Sequence, residues 1–126
     1  MQQIIGISRR PDITFYPNGR IDITARIARA ISMHHGDVIG IAINGTERYI
    51  YVRLRADMVN GRHCATVHAT KRGSHNFRGY SRQICQAMLS SSADSSHPLR
   101  CPAGQVIQHP QYGSMMAIIY KFNIQQ

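Results

Sequence analysis

The dipeptide Asn-Gly occurs three times in this chain, at positions 18–19, 44–45 and 60–61. Tight hairpin turns need positive backbone φ, which Asn and Gly adopt with least strain, so Asn-Gly between alternating apolar residues marks a β-hairpin. The first site has that context. Apolar residues of "DITFY" precede it, and behind it Ile21 and Ile23 alternate with Arg20 and Asp22, which turns the isoleucines inward and Arg20 outward. The second joins "VIGIAI" to "RYIYVRL". Between these hairpins "ARIARAIS" places Ile27, Ala28 and Ile31 on one helical face and Arg26 and Arg29 on another, with Thr24 in the N-cap place and Gly36-Asp37 ending the helical region. The order is strand, strand, short helix, strand, strand.

The same order recurs downstream. A shift of 68 positions brings "GDVIGIAINGTERYIYVR" onto "GQVIQHPQYGSMMAIIYK", and a shift of 57 brings "ITARIARAIS" onto "YSRQICQAML", with Ser81 in the capping place of Thr24. The two shifts differ because of the Ser-rich "LSSSADSSHPLRC", which reads as a surface loop. Between the copies, "ATVHA" reads as a strand, Asn60-Gly61 as a turn and "TKRGSHN" as an exposed basic loop. We therefore expect residues 1–126 to form a single domain, with pseudo-repeat halves at about 12–55 and 74–123. The fold class expected is mainly β with two short helices, a swapped-hairpin or double-psi-like barrel.

Gly19, Arg20, Ile21 and Ile23, the helix through Ile31, and Gly36-Asp37-Val38 resemble the AbrB/MazE-type swapped-hairpin domains over roughly residues 13 to 53. In that family the unit intertwines with a second copy to make a compact barrel, and arginines of the strand and adjoining loops contact DNA. The resemblance implies such a role for Arg20. Two positions differ from the family's pattern, with Thr24 where it has Pro and Ser32 where it has Gly. Family members take the second copy from another chain, whereas here residues 71 to 122 can supply it, so both a homodimer and an intrachain pseudo-dimer are open.

Lys and Arg number 15 against 6 Asp and Glu, a formal net charge of +9, and 13 of those cations are Arg. A fold does not need that excess for itself, and the planar guanidinium grips phosphate in two places where an ammonium acts as a point charge. An acidic protein partner would answer to the same excess. The densest candidate site is "TKRGSHNFRGYSR": Lys71, Arg72, Arg78 and Arg82 bring charge, and Ser74 and Asn76 bring neutral hydrogen-bonding groups. Phe77 and Tyr80 are interleaved there, either as core residues or as stacking rings. Arg26 and Arg29 join the list on their exposed helical face, and Arg53 and Arg55 share one face of a strand.

No catalytic constellation is visible, nor a glycine-rich phosphate loop, so no enzymatic activity and no cofactor is expected. His63, Cys64 and His68 are close in sequence but do not make a four-ligand set, and no metal site is expected. Cys64, Cys85 and Cys101 show no paired spacing and read as free thiols of a cytoplasmic protein, with no apolar run long enough to cross a membrane. The expectation is a small DNA-binding protein, a transcription regulator or mobile-element accessory factor whose partner is nucleic acid, double-stranded DNA in the first place. The alternative is a protein-interaction or antitoxin-like barrel module.

Overall fold

A computed structural model of the protein describes residues 11–53, 64–90 and 95–120. Along them run β1 (Ile13–Phe15), β2 (Arg20–Ile23), α1 (Ala25–Ala30), β3 (Val38–Asn44), β4 (Glu47–Arg53), β5 (Cys64–Ala69), β6 (Phe77–Tyr80), α2 (Arg82–Leu89), β7 (Leu99–Cys101), β8 (Ala103–His109) and β9 (Gly113–Ile118). Every ladder is antiparallel, and the strand order is β7-β1-β2-β6-β5-β3-β4-β9-β8. The architecture is a nine-strand, nearly closed antiparallel barrel with two short helices, so the mainly β expectation holds.

The turns differ in detail from their sequence reading. Gly19 has φ +98 and Asn18 is not in the left-handed region, while Tyr16 and Arg20 face each other across Pro17-Asn18-Gly19. This is a three-residue loop in which Asn18 Oδ1 accepts from the Arg20 N–H at 3.0 Å. At the second hairpin Asn44 is opposite Glu47, so the turn residues are Gly45 and Thr46, and only Gly45 (φ +63) needs the glycine conformation. Asn60-Gly61 lies outside the described residues. Strand β7 lies in what the sequence reads as the Ser-rich loop.

The outermost strands β7 and β8 are consecutive in the chain, with Pro102 alone between them, so the sheet curls until its two ends meet. Proline has no N–H and breaks the ladder there. Asp12 spans the break. Its backbone N–H donates to Cys101 O at 2.8 Å and its carbonyl accepts from the Thr24 N–H at 2.9 Å, while its side-chain Oδ2 accepts from the Ala103 N–H at 2.8 Å. Thr24 Oγ1 reaches Oδ1 at 3.4 Å and Arg26 Nη1 reaches Oδ2 at 3.5 Å. This carboxylate is buried, and these contacts satisfy what would otherwise be a strongly unfavourable group.

Thr24 therefore does not cap α1, as the sequence suggests; its hydroxyl is directed to Asp12, and Asn76 Oδ1 accepts from the Ala25 N–H at 2.9 Å instead. Helix α2 is capped as read, with Ser81 Oγ accepting from the Ile84 N–H at 3.1 Å. Both helices lay an apolar side on one continuous core, where Ile27 and Ala28 of α1 and Ile84, Cys85 and Met88 of α2 join Phe15, Ile21, Ile23, Ile39, Ile50 and Val67. After α1 the chain turns at Ser32, the one described residue other than glycine with positive φ, at +56.

Two stability outcomes follow. Replacing Asp12 by Ala leaves the buried Ala103 N–H without its acceptor and should lower unfolding free energy by about 2–3 kcal/mol in urea titrations; a loss below about 0.5 kcal/mol would show that the seam does not rely on it. Ser32→Gly removes a left-handed penalty of about 1 kcal/mol and should raise stability or leave it level in the same titration.

Candidate nucleic-acid interface

The strand registers align a row of side chains across five strands, which reaches the surface on β2, β6 and β5 and again at Arg100 of β7, with Thr14 of the intervening β1 buried. Arg100 of β7 is opposite Thr14 of β1, Thr14 opposite Asp22 of β2, Asp22 opposite Arg78 of β6, and Arg78 opposite His68 of β5. In the next outward position of the central ladder, Arg20 is opposite Tyr80. Across these five strands Asp22 is the one acidic residue.

Asp22 holds the centre of the row. Its Oδ2 accepts from Arg20 Nη2 at 3.0 Å and its Oδ1 from Arg78 Nε at 2.8 Å, so one carboxylate orients two guanidinium groups from neighbouring strands. The Arg20 guanidinium also lies 4.1 Å from the Tyr16 ring centroid. Tyr16 first, and then Asp22, holds the Arg20 pKa above its ordinary value, against an opposing effect of desolvation. These pairs are partly exposed to water and add little to stability. Their effect is to fix directions.

The nine sequence candidates separate into a centre and two ends. Arg20 and Arg78 occupy the centre. At one end the β5–β6 loop exposes Lys71 and Arg72, and its polar residues fold the loop: Ser74 Oγ accepts from the Asn76 N–H at 2.9 Å, and Asn76 fastens it to the N-terminus of α1. Arg26 and Arg29 are exposed on that helix, with Arg26 turned toward Asp12. Arg82 is at the opposite end, exposed on the first turn of α2 beside Gly19, where an added Cβ would come within 3.0 Å of Arg82 Cγ. Sequence reasoning missed Arg100, which is exposed on the three-residue strand β7, and it did not see Asp22 as the hub. Arg53 lies on β4 opposite Val38, and Arg55 lies outside the described residues.

Phe77 and Tyr80 have opposite fates: Phe77 is in the core at 4% exposure and Tyr80 stands out at 63%. The histidines are used locally. His35 Nδ1 accepts from the Ala69 N–H at 3.0 Å with its ring 5.1 Å from that of His68, and the His34 N–H donates to Asp37 Oδ2 at 2.7 Å. Among the described residues no three His, Cys, Asp or Glu side chains gather as metal ligands; His63 lies outside them. Burial pushes the Cys85 thiol up to about 11 and the Cys101 thiol up to about 12, far from the range of a reactive thiolate. On the opposite side of the barrel, Glu47 accepts from the Tyr49 hydroxyl at 2.8 Å and raises its pKa.

Comparisons of the chain with protein-family models, with curated proteins and with solved structures found no match.

The thiols provide a check on this arrangement. With a thiol reagent at pH 8, half-buried Cys64 should react first, and Cys85 and Cys101 should react only as fast as the protein unfolds. Three equally fast thiols would contradict the burial described.

Proposed function

We propose that this chain is a small DNA-binding protein, of the transcription-regulator or mobile-element accessory kind, that anchors phosphates through the outer face of β7-β1-β2-β6-β5. The observation that carries this reading is the surface group Arg20, Arg78 and His68 on β2, β6 and β5, with Lys71 and Arg72 before β6, Arg82 after it and Arg100 beyond the buried Thr14, against one acid on these strands. Such a surface attracts a polyanion, and its hydrogen-bonding arginines can fix the polyanion's register.

The swapped-hairpin reading of the barrel has support of three kinds. In the sheet, the hairpin β1–β2 is followed by β6–β5, then by β3–β4, then by β9–β8, so the two halves of the chain alternate as intertwined copies would. Ser32 takes the left-handed conformation at the position where the resembled family has Gly. The β4·β9 register also suits a duplication, because the shift of 68 centres a local dyad on the directly opposed pair Tyr49 and Ala117. At the β2·β6 seam the helix shift of 57 would centre between pairs, where an antiparallel ladder has no dyad. A shift of 58 centres on Ile21 and Gly79 and brings Asn18 and Arg20 onto Asn76 and Arg78, with one residue fewer between strand and helix in the second copy. On this reading the second half begins with β5, earlier than position 74.

A protein-interaction role has an observation of its own. Ile43 is 60% exposed on a part of β3 that β5 does not cover, and Val106 and Ile107 are exposed on β8. A concentration-dependent mass in sedimentation that Ile43→Asp abolishes would favour that role.

The DNA-binding reading is tested by fluorescence anisotropy with a random duplex of about 30 base pairs over a range of salt. Micromolar binding that weakens with salt is expected, and the triple variant Arg72→Ala, Arg78→Ala, Arg82→Ala should make the log–log salt slope shallower by about 2–3. An unchanged slope would take these residues out of the contact. No binding at low salt to duplex or single strand would overturn the reading.

A further inference from the structure

We infer that Tyr80 is a base-stacking position and that the nucleic acid lying across this face is single-stranded there. The inference rests on the nucleic-acid reading above and adds the strandedness of the ligand.

Tyr80 is a large ring left 63% exposed at the last position of β6, opposite the first residue of β2. Among the described residues neither its ring nor its hydroxyl has a partner. Its cross-strand neighbour Arg20 cannot swing outward freely, because Asp22 holds one end of the guanidinium at 3.0 Å and the Tyr16 ring lies 4.1 Å from it. Tyr16, Arg20 and Tyr80 thus form a ring, a flat cation and a ring on one face. A planar cation beside an exposed aromatic is the surface on which a nucleobase stacks with little regard to its identity.

The distribution of charge argues the same way. Arg20, Asp22 and Arg78 together carry one net positive charge, so the centre of the face is weakly charged. Lys71 and Arg72 at one end, and Arg82 at the other, have no acidic partner among the described residues. A duplex keeps its bases stacked on one another and presents sugar and phosphate to a surface, which would set an apolar ring against its backbone. A single strand can turn bases down onto the ring while its phosphates reach cations at both ends. An exposed ring at the end of β6, with Arg82 two residues beyond it and Lys71 and Arg72 before the start of the same strand, matches the second arrangement.

The test measures binding of a 15-nucleotide poly-dT strand and a 15-base-pair duplex by anisotropy, with the wild type, Tyr80→Ala and Tyr80→Phe. Single-strand affinity should exceed duplex affinity. Tyr80→Ala should weaken it by about 5- to 100-fold with the salt slope unchanged, and Tyr80→Phe should retain it. Tyr80→Trp supplies an optical readout, since its fluorescence should be quenched on adding poly-dT. Tighter binding to duplex, or a Tyr80→Ala variant indistinguishable from wild type together with an unquenched Trp, would overturn the stacking inference and leave the nucleic-acid reading standing. Failure of both probes to bind at low salt would remove both.

Discussion

The barrel depends on a buried carboxylate at the point where its sheet closes. Strands β7 and β8 belong to opposite ends of the strand order, and Pro102 between them can donate no hydrogen bond; the Pro102 carbonyl accepts from the Ile119 N–H, while the Ala103 N–H turns to a side chain. Asp12 accepts that N–H, and its own backbone ties the start of β1 to Cys101 and to Thr24. One residue therefore connects β1, β8, the end of β7 and the start of α1. An apolar residue could fill the same volume, but it could not satisfy Ala103, and a buried donor without a partner is more damaging than a lost contact.

The outer face uses a second carboxylate for a different purpose. Asp22 is only partly shielded from water, so its two ion pairs contribute modestly to folding. What it supplies is pre-organisation: two long, rotamer-rich arginines are held at one spacing before any ligand arrives, which reduces the ordering cost of binding. In the swapped-hairpin reading Asp22 and Tyr80 are mates about the dyad through Ile21 and Gly79. One copy then holds the arginines and the other leaves a ring exposed, a division of roles open to a duplicated chain and closed to a symmetric dimer of identical units.

What was legible in the sequence is what local spacing encodes. Alternation placed Ile21 and Ile23 inside and Arg20 outside, Ser81 was readable as a cap three residues ahead of Ile84, and the strand and helix order of the first half follows from its turns. What was not legible depends on residues far apart in the chain. Asn76 caps a helix 51 residues earlier, and Asp12 closes on a peptide 91 residues later, and no periodicity reports either. Strand β7 was hidden because three residues are too few to show a period inside a Ser-rich stretch, and Arg100 was hidden with it. The candidate cations were found by composition, while their sorting into centre and ends required the ladder registers.

The seam at Pro102 also bears on how this chain could be rewired. In most small sheets the two edge strands are distant in sequence, and a cut near either one leaves the remaining ladder intact. Here the strands at both ends of the order are successive, so the single residue Pro102 links the two sides of the gap in the barrel wall. Circular permutation with new termini at that link would leave the two ends of the sheet joined by the hydrogen bonds of Asp12 and by the packing of Cys101 and Ala103 in the shared core. New termini in the β3–β4 hairpin, where Gly45 turns in open space, would leave the wall continuous.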